Sequence, residues 1–428
     1  MSVLAWERPL KPVQTTMFSR SVVVVLATVG VGSTASAQCL RYTIELIPGP
    51  NCQFVGSTSF AFGMNGDGEL CGGYTPCSKS ANGSSVWLGQ GGWVNVAQPP
   101  GREWFRLYDI TSSRSIAGSS QPLTESFPRR AVRYDFVNNV FIDIGLLPGF
   151  TNSEAVAINE NGWVCGYLSG VNSQAFIWQD NRMALLNLPI GPNSMANDIS
   201  DSGLVCGWMG QAWTTIASAF IYDSSTGETV NVGTPLPGTT NADATAVNSL
   251  GNICGRSGEW CGEFAFCYRG FFWSKGNVQE LGVLPGFDRC IPKDLNDSNI
   301  VVGFCDTHFG NTRAFVWRNG VMYRLSDLVY PPQPTLNIRE ATAINNAGQI
   351  AGQAGIPGGN AAVRLTPIPP TLGDCNCDQR VNVNDLLNVI YAWHTPGTPN
   401  AQGGSADLNQ DKTVNVDDQW IVLNNWTS

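Results

Sequence analysis

Two twelve-residue stretches near the C-terminal end carry oxygen donors in one repeated order. The first reads Asp374-Cys-Asn376-Cys-Asp378-Gln-Arg380-Val-Asn382-Val-Asn-Asp385. The second, 33 residues later, reads Asp407-Leu-Asn409-Gln-Asp411-Lys-Thr413-Val-Asn415-Val-Asp-Asp418. Both place oxygen side chains at loop positions 1, 3, 5, 9 and 12, and the main-chain carbonyl of Arg380 or Thr413 falls at position 7. Oxygen donors at that spacing wrap a hard cation, so the chemistry is coordination of Ca²⁺, one ion per loop and two in all. Cys375 and Cys377 fall between the donor positions and are not read as a zinc pair. Val381 and Val414, at position 8 of each copy, predict a short β-bridge between the loops.

Each loop is followed by a helical pattern that would hold it. Apolar residues fall at Leu386, Val389, Ile390 and Trp393 after the first loop, and at Trp420, Val422, Leu423 and Trp426 after the second. That spacing predicts two short helices with facing apolar stripes, burying a small shared core.

Residues 374–428 resemble a type I dockerin module, in which each loop runs directly into a helix. The resemblance implies that Asp374, Asn376, Asp378, Asn382 and Asp385 ligate one ion, and Asp407, Asn409, Asp411, Asn415 and Asp418 the other. It also implies docking to a cohesin-like or cell-surface protein. Two features depart from the family pattern. Position 6, usually Gly where the loop turns sharply, is Gln379 and Lys412. The Ser-Thr type pair common at positions 10 and 11 of cohesin-binding modules is replaced by Val383-Asn384 and Val416-Asp417, so calcium ligation carries over from the resemblance and cohesin recognition itself does not.

The rest of the chain divides by composition. Residues 1–37 read as an export signal, with Arg20, an apolar run from Val22 to Val31, and Ala35-Ser-Ala37 before Gln38; Met17 is an alternative start. An apolar run of about ten residues is half the roughly twenty needed to span a bilayer, so the mature chain is expected to be exported and soluble. Removing this segment takes away three basic residues and one acidic one, moving the formal charge from −9 to −11. Seven Asp against two basic residues give 374–428 a charge of −5, and no basic patch suggests nucleic acid. Thirteen cysteines in an exported chain permit disulfides, with Cys261–Cys267, Cys290–Cys305 and pairing among Cys39, Cys52 and Cys77 as short-range candidates.

Residues 38–366 form a tandem array. Its clearest copy is Ala155-Val-Ala157-Ile158-Asn159-Glu-Asn-Gly162-Trp-Val164-Cys165-Gly166, followed by Ala175-Phe-Ile-Trp178. The second Gly recurs at Gly72, Gly118, Gly166, Gly207, Gly255, Gly303 and Gly352, in steps of 46, 48, 41, 48, 48 and 49 residues. An aromatic anchor follows at Trp87, Tyr134, Trp178, Tyr222, Trp273 and Trp317, with Leu365 in the last copy. Leu-Pro-Gly closes several copies, at Gly149, Gly238 and Gly286. The Asn-x-x-Gly step reads as a hairpin turn with φ > 0 at its last residue, held by Gly68, Gly162, Gly203, Gly251, Gly348 and, in the sixth copy, Asn299. Arg114 takes that place in the second copy, so a different turn is expected there. Cys71, Cys165, Cys206 and Cys254 share one repeat position and are read as small buried residues.

Four short strands fit a repeat of about 47 residues, which is the length of a propeller blade. The expected fold is all-β: seven blades, plus the small helical module. The array resembles the HAF family of extracellular repeats through Ala343-Ile-Asn-Asn-Ala-Gly-Gln-Ile-Ala-Gly352 and Ala314-Phe-Val-Trp317. The motif's initial His is replaced by Gln174, Ser218 and Arg313. This resemblance implies an exported β-propeller and no defined reaction. A Pro-rich connector, 367–373, is expected to space the array from the module.

Catalytic patterns are sparse. The two histidines, His308 and His394, lie in no metal or triad spacing. A propeller glycosidase needs paired carboxylates; Glu154, Asp243, Glu259 and Asp294 are candidates, with no spacing that singles out a pair. The reading that results is a non-catalytic exported propeller binding a protein or a polysaccharide, docked by a calcium module. A polysaccharide-degrading enzyme and a structural surface protein are the alternatives.

Overall fold

A computed structural model describes residues 39–49, 58–74, 83–98, 104–121, 128–212, 216–260, 266–307, 310–396 and 405–427. The segment read as an export signal lies outside them, as do Cys52, Cys77, Cys261 and His308. No helix among the described residues is long and apolar enough to cross a membrane.

The described chain is mostly β, with 28 strands and two α-helices. The strands form four-stranded antiparallel meanders, one of them being Phe150–Ile158, Val164–Gly170, Ser173–Gln179 and Arg182–Leu185. Two such sets, beginning at Asn193–Ile199 and Asn241–Val247, join into an eight-stranded sheet through one parallel pair, Ala217 with Asn241. The last sheet is completed from the other end of the chain. Its strands Asn337–Ile344, Ile350–Ile356 and Gly359–Pro367 are joined at the edge by Tyr42–Ile47, in register from Tyr42 with Pro367 to Ile47 with Ala362.

Apolar residues of neighbouring sheets face each other. Ala117, Ala131 and Ile144 of one sheet pack on Ala155, Val164, Leu168, Phe176 and Trp178 of the next. The aromatic anchors lie in one register: Trp87 is opposite Leu70, Trp178 opposite Val164, Trp317 opposite Val301, and Leu365 opposite Ile350.

The first strand of every set bulges at one place, and the bulge explains the repeated glycine. At Gly166 an added Cβ would lie 2.0 Å from the Glu154 carbonyl oxygen; at Gly72 and Gly352 the same approach, to Phe60 and Glu340, is 2.1 and 2.2 Å. The pleat is pushed inward there, so no side chain fits. The turn that follows is held by a hydrogen bond from Gly162 N to Asn159 O of 2.8 Å, with φ +77° at Gly162. Arg114, expected to break this pattern, adopts it, with φ +60° and its N–H bonded to Thr111 O at 2.9 Å. Its guanidinium grips Glu69 through two contacts of 2.6 and 2.9 Å, which offsets the strain of a left-handed backbone.

These turns link the sheets in a circuit. Asn159 Nδ2 donates to Ser200 O, Asn248 to Asn296 O, Asn296 to Asn345 O, and Asn345 to Asn65 O across 280 residues. Residues from Asn65, Asp109, Asn159, Asp198, Asn248, Asp294 and Asn345 surround one common cavity of about 340 Å³. Asp109, Asp198 and Asp294 each accept the amide of the next unit, from Ile158, Val247 and Ile344. Burial pushes their carboxyls up, to about 7 at Asp109 and about 6 at Asp198.

The thiols Cys71, Cys165, Cys206 and Cys254 are free and fully buried, as expected of packing residues. Cys290 and Cys305 sit directly opposite each other across two strands but remain free thiols, against the bridge expected from sequence. Cys267 is disulfide-bonded. Of the candidate group Cys39, Cys52 and Cys77, only Cys39 is described, and it bridges Cys377.

Candidate metal centre in the C-terminal module

The module is built on two nine-residue helices, α1 (Val383–Tyr391) and α2 (Val416–Asn424). Each starts with a capping box. The Asn382 side chain accepts a bond from the first turn of α1 while Asp385 accepts from the Asn382 amide; Asn415 and Asp418 repeat this at α2. Positions 9 and 12 of each loop are therefore also the residues that start its helix.

Asp385 ties the first loop to itself. One carboxylate oxygen accepts from the amides of Cys375 and Asn376 at 3.0 and 3.1 Å, and the other from Asn382 at 2.9 Å. Asp374 accepts from the amides of Asp378 and Gln379. Asn376 accepts from Asp378, and Asp378 from Arg380. The chain winds around a centre onto which carboxylate oxygens of Asp374, Asp378 and Asp385 converge, all within 4.8 Å of one another. The second loop repeats the frame: Asp418 accepts from Leu408, Asn409 and Asn415, Asp407 from Lys412, and Asp411 from Thr413.

Like charges brought this close and out of water demand a counter-charge. Burial, and then the neighbouring carboxylates, push the carboxyls of Asp374 and Asp407 above the usual range. One oxygen of Asp407, Oδ1, is buried with no hydrogen-bond partner. An orphaned, buried carboxylate oxygen in a loop whose donor positions are all Asp and Asn fits a hard divalent cation. Gln379 and Lys412, which replace the usual Gly, hold that residue's left-handed conformation, with φ +66° and +72°.

The two loops are not joined as position 8 suggested. Val381 bonds to Thr427 after α2, with Thr427 N to Val381 O at 2.8 Å. Val414 bonds to the segment after α1, through His394 N and Thr395 O at 2.7 and 2.8 Å. Each loop thus clasps the far end of the other helix, and no bridge remains for Val381 and Val414 to form with each other. Their side chains fill the core instead, with Cys375, Val389 and Val422.

That core is smaller than the apolar stripes imply. Leu386 and Trp393 pack against it, but Ile390 is 44% exposed, Trp420 56%, Leu423 41% and Trp426 45%. Helices of two and a half turns bury the last loop position and the residue four further on, Asp385 with Val389 and Asp418 with Val422. The remaining large apolar side chains of the two helices are largely exposed.

The carboxylates considered for hydrolysis are dispersed in the array. Glu154 is held by Tyr108 and Tyr167 hydroxyls and by Arg129 at 3.3 Å. Asp243 is bonded to Arg256 and Asn197. Asp294 is half-buried in strand Arg289–Leu295 and accepts the Ile344 amide, and Glu259 is exposed near the end of strand Ile253–Trp260.

Comparison with known proteins agrees with this geometry. Residues 372–425 match the dockerin type I domain. Dockerins bind calcium and dock to cohesins, and they occur in secreted cell-surface or cellulosome proteins. No curated protein matches the chain. Solved structures similar to it include the β-propeller domain of the Trilobed protease from Pyrococcus furiosus, at 12% identity and TM-score 0.41, covering 62% of this chain and 84% of that one. An oligogalacturonate lyase in complex with manganese shares 10% identity at TM-score 0.46, covering 78% and 99%. YCF48 bound to D1 peptide shares 12% at TM-score 0.45, covering 78% and 99%.

The sequence offered no sign of what the module touches. Cys39 and Arg41 meet the first loop at Cys377, and neither stands in any motif.

Proposed function

We propose that the chain is an exported, non-catalytic binding protein: a seven-bladed β-propeller of HAF-type repeats whose dockerin module holds two calcium ions and docks it to a cohesin-like or cell-surface partner. The ions are held by Asp374, Asn376, Asp378, Asn382 and Asp385 with the Arg380 carbonyl, and by Asp407, Asn409, Asp411, Asn415 and Asp418 with the Thr413 carbonyl. The cation supplies the charge that lets these oxygens share one centre, and hence the folded loops on which α1 and α2 stand.

The observation that carries this reading is the outward apolar face on helices whose first turns are made from the metal loops. Trp420, Leu423, Ile390 and Tyr391 are all exposed, on elements that the loop carboxylates cap. Metal and docking are thereby one structural event. The circuit of turns, and the completion of the last sheet by the first strand, support a closed seven-bladed ring. The engagement of Glu154 and Asp243 by neighbouring side chains supports binding rather than hydrolysis.

Calcium titration followed by calorimetry and circular dichroism tests the metal part, with a double Asp374→Ala, Asp407→Ala variant as control. The wild type should bind two equivalents and gain helix, and the variant neither. Retention on immobilised cohesin in calcium, lost in chelator and in Trp420→Ala, tests docking. Undiminished calcium-induced helix in the double variant would sink the ligand assignment.

A further inference from the structure

The first calcium loop and the first strand of the array meet at one residue. Cys377, at loop position 4, lies between the donors Asn376 and Asp378 with φ +64°. Its sulfur is bonded to Cys39, with Cα atoms 5.2 Å apart and 338 residues between them. Its carbonyl oxygen accepts two bonds from the buried Arg41 guanidinium, at 3.1 and 2.8 Å. Arg41 reaches past the loop to the Asp327 carbonyl and lies over the Tyr330 ring. Its own carbonyl accepts the Ile368 amide at 2.8 Å, and the next residue, Tyr42, begins the strand that completes the last sheet.

Cys39, Arg41 and Cys377 are all buried, so this is an interior joint. Position 4 donates nothing to a metal, so the joint leaves the donor atoms free. The second loop differs: its hydrogen bonds among the described residues stay inside the module. The module is therefore fixed at loop one, while both apolar helix faces remain exposed.

We infer that calcium in the first loop and closure of the array by strand Tyr42–Ile47 stabilise each other through the Cys39–Cys377 and Arg41–Cys377 contacts. The inference rests on the calcium reading above. A metal that orders residues 374–385 fixes Cys377, Cys377 fixes residues 39–41, and those set the first strand on the edge of Gly359–Pro367. The strand pairs along its length only with Gly359–Pro367 and is otherwise tied at Tyr42 to Val329 and Tyr330, so its anchoring at the 39–41 end limits how often it frays. Coupling of this kind is reciprocal: a strand that stays docked also holds the loop in its binding shape.

Hydrogen exchange on the full chain, in calcium chloride and in chelator, reads the strand directly. Amides of Tyr42–Ile47 should exchange about tenfold more slowly in calcium, while those of Ser173–Gln179, far from the joint, should be unchanged; tenfold corresponds to about 1.4 kcal/mol of coupling. In Cys39→Ser the calcium effect on Tyr42–Ile47 should fall to twofold or less. Calorimetry on the same samples separates the two readings. Calcium bound by the wild type without slower exchange at Tyr42–Ile47 overturns the coupling and leaves the metal sites standing. No calcium bound overturns both. An equal slowing in wild type and Cys39→Ser overturns the role of the bridge.

Discussion

The repeat contains two glycines four residues apart, and the structure gives them different causes that substitution can separate. Gly162 closes the turn with φ +77°, and an added Cβ there would first meet the Arg133 guanidinium at 2.9 Å. That neighbour is the far end of a flexible side chain, bonded to Ser115 Oγ at 3.2 Å, and it can move further than main chain can. The cost of Gly162→Ala is the left-handed backbone, about 1–2 kcal/mol, reduced by about 0.4–1 kcal/mol because alanine also restricts the unfolded chain. The net loss should be near 1 kcal/mol. Gly166 stands where the bulge brings the Glu154 carbonyl oxygen to 2.0 Å from the Cβ position, with the Glu154 carbonyl carbon at 3.0 Å and Ala155 Cα at 3.1 Å. Those atoms are main chain, tied into the ladder on both sides, and must retreat by about 1 Å. Overpacking of a rigid site costs about 1–3 kcal/mol and more where the backbone must shift, so Gly166→Ala should lose at least about 3 kcal/mol. Urea unfolding followed by tryptophan fluorescence compares the two variants on one baseline. Gly166→Ala should move the midpoint at least twice as far as Gly162→Ala, and the pair Gly255 and Gly251, with 2.3 and 3.4 Å approaches, should rank the same way. Equal shifts, or a larger shift for Gly162→Ala, would refute the argument that close backbone approach rather than turn geometry dictates the second glycine.

Other substitutions test the remaining joints. Gln379→Gly and Lys412→Gly remove left-handed strain from the calcium loops, so each should tighten calcium binding about three- to tenfold by calorimetry, from about 1 kcal/mol of relief. A double-mutant cycle of Arg114→Gly with Glu69→Gln should show a coupling of about 1 kcal/mol, since the half-exposed bidentate pair offsets the strained turn. In chelator, stability should fall as pH rises from about 4 to about 7. The folded-state carboxyls of Asp109, Asp198 and Asp294 sit above their unfolded value near 4, so their contribution is fullest below that value and is lost as pH rises through about 6 to 7. A thermal midpoint that is flat or rising over this range, or a profile that Asp198→Asn does not flatten, contradicts that assignment.

Some of the protein can be read from local pattern because local forces act there. The glycines mark a bulge and a turn in every unit, and Asn299 stands for Gly where φ is +58°. The Asp/Asn order of both C-terminal loops and the helices after them follow from spacing alone, since positions 9 and 12 also cap α1 and α2. Pattern misleads where a distant partner offsets a local cost. Arg114 accepts a glycine's backbone because Glu69, on the neighbouring sheet, holds its side chain. The stripes on α1 and α2 suggested burial, yet Trp420, Leu423 and Trp426 face outward because helices this short turn only one or two positions toward a core of five small side chains.

The sequence by itself determined the repeat, the turn chemistry and the order of acidic and amide side chains in the two C-terminal loops, since each depends on residues within about a dozen positions of one another. Only the tertiary structure decided which strand completes the last sheet, which cysteine meets Cys39, and that loop and strand share a joint at Cys377. Those contacts span 338 residues at the disulfide and 280 at the turn circuit. Their partners are chosen by where the stacked sheets bring the two ends of the chain, and no local preference of Cys39, Arg41 or Asn345 encodes that position.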